Sequence, residues 1–463
     1  MRLTREEMLA TLGTRDPANN GKFIIGVLST GIYCLPSCHA RTPKPENVRF
    51  FANGTEAEEV GLRPCKKCKP DEFERGVNRE LEAIEDLVVQ IRKRPADFAN
   101  ASILAQALDV GLTKLNSLFR LHYQQTPFEV LLEARLASAR AKLVESTDRI
   151  TGIAYDVGFE SLSVFNENFK RRTGITPTKY RALPVSDEVV IDLPADYNLT
   201  AFTRTYGRDP LSPTERINGM RALFATPRGS LMDVELGSKT RIRVIRGNCL
   251  DCYETLARAL NFGQEAKEFE SHAMSTGLGR LFKGREGSRV PQSLSLFDGL
   301  IWAVTGQQIN LPFAFALRQR LFAKYGEPLG NDLYSVPTPE RIAELADSDL
   351  RDIQYSRQKA DYLIGIARLG PGWIAELEAA SFTRSKTMLL ATRGLGIWSA
   401  NYLLMRSLGY ADCVPLGDTG LTAGLVQFHG LESKPTLTEI EAMMKPFCPY
   451  RSLATYHLWQ SLK

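Results

Sequence analysis

The chain has 463 residues, of which 43% are hydrophobic and 24% are charged, as in an ordinary globular protein. At roughly 150 residues per domain this length predicts about three domains, and the composition excludes a collagen-like, coiled-coil or wholly disordered chain. No apolar run approaches the roughly 20 residues of a membrane helix. The N-terminus also lacks the apolar core of a secretory signal, so we expect a cytoplasmic protein that contacts no membrane. The net charge of +5 permits nucleic-acid binding without arguing for it.

Half of the eight cysteines fall in one short stretch, at Cys34, Cys38, Cys65 and Cys68. In a reducing compartment such a cluster indicates a metal site before it indicates disulfides. The spacing, C-x3-C, then 26 residues, then C-x2-C, suits one tetrahedral Zn²⁺ held by four thiolates. A closed structural knuckle is the ordinary interpretation, but a zinc-bound thiolate also remains a nucleophile. Basic residues that would let such a site approach a phosphate backbone surround it: Arg41, Lys44, Arg49, Arg63, Lys66, Lys67 and Lys69.

The segment FIIGVLSTGIYCLPSCHARTPKPENVRFFANGTEAEEVGLRPCKKCKPD closely resembles the N-terminal zinc domain of the bacterial Ada methylation-response proteins, over about residues 15 to 72. The resemblance implies that Cys34 irreversibly accepts a methyl group from a DNA methylphosphotriester, while Cys38, Cys65 and Cys68 stay as zinc ligands. Spacing alone does not choose among the four. Methylation would remove one negative charge from the site, which should lower its repulsion from DNA phosphates and tighten DNA binding.

A helical stripe over residues 78 to 94 precedes two similar units, which close on Thr-Pro pairs 50 residues apart. Each unit has a residue where the tight turn of a helix-turn-helix needs a permissive backbone, Asp109 in the first and Gly158 in the second. One helix pair would be weak evidence because it is a common packing unit. Two copies joined by an amphipathic segment predict a double helix-turn-helix.

The stretch GFESLSVFNENFKRRTGITPTKYR resembles the signature of AraC-type regulators, which implies two recognition helices in successive major grooves of DNA. Glu167 departs from that family, which usually has a basic residue there, and this leaves the strength or target of the second half open. The candidate base readers are Thr113, Lys114, Asn116 and Ser117 in the first helix and Ser161, Ser163, Asn166 and Glu167 in the second. We expect phosphate contacts from Lys170, Arg171, Arg172 and Lys179.

From Leu183 onward the sequence predicts a strand-rich region over residues 187 to 250, with a helix near Pro213 to Phe224, and helices beyond Phe297. The string RGLGIWSANYLLMRSLGYADCVPLGDTGL places Gly394-x-Gly396 between two helices, an arrangement that exposes backbone N–H groups to phosphate. With AVTGQQIN and YRSLATYHLW, this string resembles the helix-hairpin-helix DNA glycosylases of the AlkA branch, over about residues 185 to 463.

This second resemblance implies that Asp418 is catalytic, because cleavage of an N-glycosidic bond builds positive charge on the sugar that a carboxylate stabilises. The alternative for such an aspartate is a helix N-cap. Trp398, Tyr402 and Trp459 match aromatic pocket positions that would stack on a flipped cationic base, although core packing explains most tryptophans. Gln307 and Gln308 fall where family members push a side chain into the gap left by that base, and the wedge could be Gln308 or Ile309. Members with lyase activity place a lysine just after the hairpin, where this chain has Ile397 and Trp398, so we expect a monofunctional glycosylase.

We therefore predict a multidomain α+β protein that repairs alkylated DNA and, once methylated at Cys34, activates transcription of alkylation-response genes. Its partners would be double-stranded DNA and RNA polymerase, and we expect a monomer in the bacterial cytoplasm, at the nucleoid. No Pro-Cys-His-Arg string occurs, so we do not expect direct reversal of O6-methylguanine. The competing hypothesis is a repair glycosylase whose N-terminal half only anchors it to DNA. The predicted domains are a small α/β zinc domain at 1–76, an all-α double helix-turn-helix at 77–183, an α+β domain at 184–292 and an all-α glycosylase domain at 293–463.

Overall fold

The computed structural model describes residues 3–16, 19–74, 76 and 78–462. The chain divides into two compact units, Met1–Asp86 and Leu87–Lys463. The domain boundaries that we place after residues 183 and 292 both fall inside the second unit. Among the described residues, no helix combines the length and the apolarity that a bilayer crossing requires.

The first unit is built on a four-stranded sheet in the order β3-β1-β2-β4. The strands are β1 (Ile24–Val27), β2 (Ile32–Cys34), β3 (Val48–Phe51) and β4 (Arg63–Pro64). Alternate residues of β1 face opposite sides of the sheet, so that Ile24 belongs to one apolar cluster and Ile25 to another. Since β2 and β4 are parallel, with Tyr33 opposite Pro64, the two strands end side by side, one on Cys34 and the other just before Cys65. The helices of this unit are Arg5–Ala10, Gly54–Glu59 and Pro70–Glu74.

The double helix-turn-helix follows as predicted. Its two tight turns have the left-handed backbone that the sequence indicated, with φ of 51° at Asp109 and 95° at Gly158. A Cβ atom at Gly158 would lie only 2.9 Å from the Cα atom of Ala96, so this position needs glycine for space as well as for conformation. The helices are Arg79–Lys93, Ala101–Ala107, Leu112–Tyr123, Pro127–Glu145, Ile150–Asp156, Leu162–Thr173 and Pro177–Ala182.

The next region is a five-stranded antiparallel sheet in the order β5-β9-β8-β7-β6. Its strands are β5 (Glu188–Asp192), β6 (Glu215–Asn218), β7 (Arg221–Ala225), β8 (Leu231–Glu235) and β9 (Lys239–Arg246), and its helices are Leu199–Tyr206, Cys249–Leu260 and Ala266–Ser275. The helix predicted near Pro213 to Phe224 is wrong, because this segment forms the hairpin β6–β7. Asn218 pairs with Arg221 around Gly219, whose φ is 59°. Glycine at the first of the two turn residues, Gly219 and Met220, is the hairpin signal in this segment.

The second helix-turn-helix copy and this sheet share one hydrophobic core. Phe165 and Phe169 of the helix Leu162–Thr173 belong to the same buried cluster as Ile191 of β5 and Leu256. Tyr180 packs edge-to-face on Tyr253, with the ring centres 5.6 Å apart. The second recognition helix, Leu162–Thr173, therefore packs into the same core as the α+β domain.

The C-terminal region is helical, apart from the short pair β10 (Pro328–Gly330) and β11 (Leu333–Tyr334). Its helices pack around a large core that includes Leu300, Leu403, Leu404 and Leu421. The helices are Leu296–Thr305, Leu311–Tyr325, Pro339–Ala343, Asp347–Arg351, Arg357–Ala367, Gly370–Ala379, Phe382–Ala391, Ile397–Arg406, Thr419–His429, Leu437–Met444 and Arg451–Ser461. The predicted hairpin connects Phe382–Ala391 to Ile397–Arg406, and Asp418 immediately precedes Thr419–His429.

Candidate zinc centre and base-excision site

The four clustered cysteines bring their sulfur atoms together, all within 4.8 Å of one another. The Sγ atoms of Cys38 and Cys65 are 4.0 Å apart, close to the separation of about 3.8 Å that Zn–S bonds of about 2.3 Å give in a tetrahedron. Backbone N–H groups of Leu35 and Ala40 each donate to a sulfur, that of Cys68 and that of Cys38, at 3.4 Å. The cluster has the ligands and the compactness of a four-cysteine zinc site.

The thiols of this cluster cannot all ionise by themselves. A hydrogen bond with Cys68 raises the pKa of Cys34, and the same bond lowers the pKa of Cys68 to about 6. A divalent cation among four thiolates removes their mutual repulsion, so that binding the metal and losing the protons go together. Cys34 and Cys65 are buried, whereas Cys38 and Cys68 are half-buried. The seven basic residues named around the cluster are all exposed.

The carboxylate of Asp418 accepts three hydrogen bonds in a half-buried position. The indole Nε1 of Trp398 donates to Oδ2 at 2.9 Å, and the indole Nε1 of Trp459 donates to Oδ1 at 2.9 Å. The backbone N–H of Leu421 also donates to Oδ1, at 2.7 Å, so Asp418 is the N-cap of the helix Thr419–His429. Asp418 therefore occupies the N-cap position that we considered as an alternative, and its second oxygen is fixed by a tryptophan from another helix.

The three predicted pocket aromatics lie together beside this carboxylate. The rings of Trp398 and Tyr402 stack, with centres 5.3 Å apart and planes 26° apart, and Tyr402 lies 6.2 Å from Trp459. All three are half-buried, and Trp459 also packs against the core. Gly420 makes room for this arrangement, because a Cβ atom there would approach Trp459 Cδ1 and Asp418 Oδ1 to about 3 Å.

The two hairpin positions, 394 and 396, are occupied by glycine for different structural reasons. Gly394 has a φ of 92°, and a Cβ atom there would lie 2.4 Å from Cγ of Tyr362. Gly396 has an extended backbone and is the N-cap of the helix Ile397–Arg406, without a side chain to cap it. The first N–H groups of that helix are thus available to a phosphate.

The loop that we predicted to carry the wedge is held at several points. The side-chain amide of Gln307 donates to the carbonyl of Gly394 at 2.8 Å and to Oγ of Ser399 at 3.3 Å. Lys359 Nζ donates to the carbonyl of Thr305 at 2.5 Å, at the end of the preceding helix. Ile309 packs against the core. Gln308 is exposed and has a left-handed backbone with φ of 53°, so its side chain extends from a fixed loop tip.

Sequence reasoning missed a second set of residues behind Tyr402. A cavity of about 90 Å³ connects Tyr402 with Trp302, Phe315 and Arg208. The rings of Trp302 and Phe315 stack at 5.6 Å, and the guanidinium of Arg208 lies 5.7 Å from the Phe315 ring centre. Trp302 lies on the helix Leu296–Thr305 and Phe315 on the helix Leu311–Tyr325, and no single sequence motif contains both.

The predicted base readers of the first recognition helix, Thr113, Lys114, Asn116 and Ser117, are exposed. In the second helix Ser163, Asn166 and Glu167 are exposed, and Ser161 is half-buried. The basic residues at its end bond to protein instead: Lys170 to Asp192 at 2.9 Å, Arg171 to Glu265 at 3.5 Å, and Arg172 to the carbonyl of Gly263 at 3.0 Å. Lys179 is exposed on the following helix.

Three segments of the chain match known families. Residues 7–71 match the metal binding domain of Ada, residues 104–183 a helix-turn-helix domain, and residues 301–449 the HhH-GPD superfamily of base excision DNA repair proteins. The fold is similar to that of a 3-methyladenine DNA glycosylase from Archaeoglobus fulgidus, with a TM-score of 0.53 and 19% identity over 58% of this chain and 97% of that one.

Named relatives cover the same regions. A Mycobacterium tuberculosis protein named "Probable bifunctional transcriptional activator/DNA repair enzyme AlkA" is 27% identical over 99% of this chain and 96% of its own length. The bifunctional transcriptional activator/DNA repair enzyme AdaA of Bacillus subtilis is 32% identical over 40% of this chain and 86% of its own. A DNA-3-methyladenine glycosylase of Bacillus subtilis is 37% identical over 38% of this chain and 60% of its own.

Together, the four-cysteine centre, the paired helix-turn-helix and the hairpin with its aspartate define a base-excision DNA repair protein that also has a zinc-binding domain and a transcription-factor DNA-binding domain. The cofactor is zinc, held by Cys34, Cys38, Cys65 and Cys68. The chain belongs to the family of Ada- and AlkA-type bifunctional transcriptional activator/DNA repair enzymes.

Proposed function

We propose that the second unit is a monofunctional DNA glycosylase that removes alkylated bases of the 3-methyladenine and 7-methylguanine type, with Asp418 as the catalytic carboxylate. The observation that carries this proposal is the environment of Asp418. Two indole N–H groups and a backbone N–H fix its two oxygens, beside three half-buried aromatic rings. One of the two indoles, that of Trp398, lies in the first turn of the helix after the hairpin. The relative named DNA-3-methyladenine glycosylase, at 37% identity, supports the same substrate class.

The chemistry follows from the charge on the alkylated base. Alkylation of a ring nitrogen makes the base cationic, so the electrons of the C1′–N bond return to the base as that bond breaks, and the base leaves neutral. Positive charge then remains on the sugar as an oxocarbenium ion. A fixed carboxylate stabilises that charge without having to reorganise, and water adds to C1′ while losing a proton to give the abasic site.

The pocket would recognise its substrate by shape and charge. A base must leave the helix to reach Asp418, at the cost of its stacking and pairing. The faces of Trp398, Tyr402 and Trp459 would replace that stacking and would attract a cationic base most strongly. We propose Gln308 as the residue that fills the gap left in the duplex, because Gln307 is bonded to the hairpin and Ile309 packs on the core. The first N–H groups of the helix Ile397–Arg406, which follow the hairpin glycines Gly394 and Gly396, would hold the adjacent backbone.

The test of this proposal is release of free base from methylated DNA by the wild type and by Asp418→Asn. Asparagine is as good an N-cap as aspartate, so the helix Thr419–His429 should stay folded while the negative charge is lost. We expect release of 3-methyladenine to fall by a factor of at least about 100, with unchanged affinity for abasic-site DNA. Undiminished release would refute the catalytic role of Asp418.

We further propose that the zinc domain accepts a methyl group from DNA methylphosphotriesters at Cys34. When bound, Zn²⁺ keeps the sulfur deprotonated at neutral pH. The Cys34 sulfur would form a bond to the methyl carbon while the methyl–oxygen bond breaks, leaving a phosphodiester anion on DNA and a thioether on the protein. The exposed lysines and arginines around the cluster would hold the backbone close. Exposure alone would favour Cys38 or Cys68, which are less buried than Cys34, so the choice of Cys34 rests on its place in the TGIYC motif.

Mass spectrometry of the protein after incubation with methylphosphotriester DNA tests this assignment. The wild type should gain one methyl group on the peptide that contains Cys34, and Cys34→Ala should gain none. The matched variant Cys38→Ala is the control, because it removes an equivalent zinc ligand and keeps Cys34. Methylation of Cys34→Ala at another cysteine would contradict the assignment.

We also propose that methylation turns the protein into a transcriptional activator that binds DNA through the helix-turn-helix pair and recruits RNA polymerase. Two recognition helices in one chain can engage successive grooves without a second subunit, which supports action as a monomer. The alternative is that the N-terminal half only anchors the glycosylase to DNA, and the acidic Glu167 on the exposed face favours it. Promoter binding before and after methylation separates the two, because an anchor would gain no affinity.

A further inference from the structure

The last turn of the helix Leu162–Thr173 carries three consecutive basic residues, and each bonds to the α+β domain. Lys170 pairs with Asp192 at 2.9 Å and Arg171 pairs with Glu265 at 3.5 Å. Arg172 donates to the carbonyl of Gly263 at 3.0 Å. The cations best placed on this helix to contact DNA phosphates are therefore occupied within the protein.

The two ion pairs are exposed and can exchange partners. The Lys170 and Asp192 side chains are 52% and 41% exposed, and those of Arg171 and Glu265 are 50% and 43% exposed. Exposed pairs contribute little to stability because water and salt screen them. Phosphates along a duplex present a much higher density of negative charge than two isolated carboxylates. DNA is therefore a strong competitor for both cations.

The backbone beneath these side chains cannot separate from the sheet domain. The hydroxyl of Tyr253 donates to the carbonyl of Thr173 at 2.7 Å. At Gly174 a Cβ atom would lie 2.5 Å from Cγ2 of Ile191, so the two segments are in close contact. Phe165 and Phe169 lie in the common core. Any change of partner is therefore confined to the exposed side chains.

We propose that Asp192 and Glu265 form an electrostatic clasp that competes with DNA phosphates for Lys170 and Arg171 and keeps the second recognition helix in a low-affinity state. This inference rests on the proposed DNA binding by the helix-turn-helix pair. On DNA, the two cations exchange their carboxylate partners for phosphates, and Asp192 and Glu265 are left to water.

The experiment uses the full chain and an undamaged duplex of 30 base pairs, with binding followed by fluorescence anisotropy over a series of salt concentrations. The variant Asp192→Asn/Glu265→Gln keeps the shape of both side chains and frees both cations. We expect it to bind the duplex about three to ten times more tightly than the wild type at low salt. The dependence of log K on log salt should steepen by up to about 2, one for each added phosphate contact.

Two matched variants separate the clasp from a general effect of charge. Glu188→Gln/Glu327→Gln removes two carboxylates that pair with arginines in the same part of the chain, Arg241, Arg243 and Arg246, and should change affinity by less than about twofold. Adding Lys170→Ala and Arg171→Ala to the Asp192→Asn/Glu265→Gln variant should abolish the gain.

An unchanged affinity of Asp192→Asn/Glu265→Gln would overturn the clasp, as would a gain that persists without Lys170 and Arg171. Failure of the wild type and every variant to bind the duplex would contradict the proposed DNA binding itself, and the clasp with it. Release of 3-methyladenine by Asp192→Asn/Glu265→Gln should equal that of the wild type, because neither residue contacts the site around Asp418.

Discussion

The indole nitrogen of Trp398 lies 2.9 Å from Oδ2 of Asp418, which is 20 residues further along the chain. Trp398 is on the first turn after the hairpin, so this bond links the segment that would hold the DNA backbone to the carboxylate that would act on the sugar. The second oxygen is fixed from the C-terminal helix by Trp459. Tertiary contacts thus give the carboxylate one defined orientation.

Substitution of the two tryptophans by phenylalanine separates this orienting role from stacking. Trp398→Phe and Trp459→Phe keep an aromatic face but lose a hydrogen bond to a charged group, which is worth about 1.5–3 kcal/mol. We expect the single-turnover rate of base release to fall about tenfold for each, with little change in the affinity for abasic-site DNA. Tyr402→Phe keeps its ring and is the control, with an expected change below about twofold. Equal rates for all three variants would show that orientation of Asp418 by the indoles does not matter.

Gln307 and Gln308 should behave differently although they are neighbours. Gln308→Ala removes the exposed side chain, and we expect a weaker fluorescence increase from 2-aminopurine placed beside the lesion, because fewer bases are held out of the duplex. Gln307→Ala breaks the bonds to Gly394 and Ser399, so we expect weaker binding to abasic-site DNA, by about three- to tenfold. Suppose that Gln307→Ala lowers the 2-aminopurine signal as much as Gln308→Ala does and leaves the affinity for abasic-site DNA unchanged. The separate roles assigned to the two glutamines would then be wrong.

Removal of zinc should affect one unit only. The first unit has small apolar clusters, and a four-cysteine site of this kind supplies much of the folding free energy of a small domain. We expect a strong chelator to abolish the thermal transition of the first unit and all methyl transfer. Base excision should continue because the second unit has its own large core. Loss of 3-methyladenine release on chelation, restored by zinc, would contradict this independence.

His457 should make the second unit sensitive to acid. Burial lowers the pKa of His457 to about 3 from 6.5, and in the described part of the chain neither ring nitrogen has a hydrogen-bond partner. Between these two values the unfolded chain binds a proton that the folded protein does not, so the free energy of unfolding falls as the pH drops below about 6.5, by up to about 1.4 kcal/mol per pH unit.

His457→Phe removes that titration and keeps the stacking on Phe269, whose ring centre is 5.3 Å from that of His457. We therefore expect a smaller loss of melting temperature between pH 7 and pH 5 in the variant than in the wild type. Parallel losses in the two proteins would show that His457 does not set this dependence.

The sequence identified those parts of the protein whose chemistry is contained in short segments. The zinc cysteines could be predicted because each pair is separated by only a few residues, and the strand pairing of β2 with β4 then brings the pairs together. The two helix-turn-helix units could be predicted from a repeated apolar pattern and a repeated Thr-Pro pair. Gly219, the first residue of the β6–β7 turn, is also a local signal, and the helix expected there is wrong because the residues on either side of this turn pair as two strands.

Tertiary structure decided what depends on residues distant in sequence. Asp418 and Trp459 are 41 residues apart and meet only in the folded chain, so no local pattern could show that both indoles orient the carboxylate. The sequence offered both Gln307 and Gln308 for the wedge, and only the hydrogen bond from Gln307 to the carbonyl of Gly394 distinguishes their roles. Lys170 and Arg171 likewise have ion-pair partners in another domain, which no local pattern could show. The sequence by itself determined which chemical groups are present and their local backbone. The fold decided which of those groups are satisfied by protein and which remain for DNA, because hydrogen bonds and ion pairs form between whichever groups packing brings within a few ångströms.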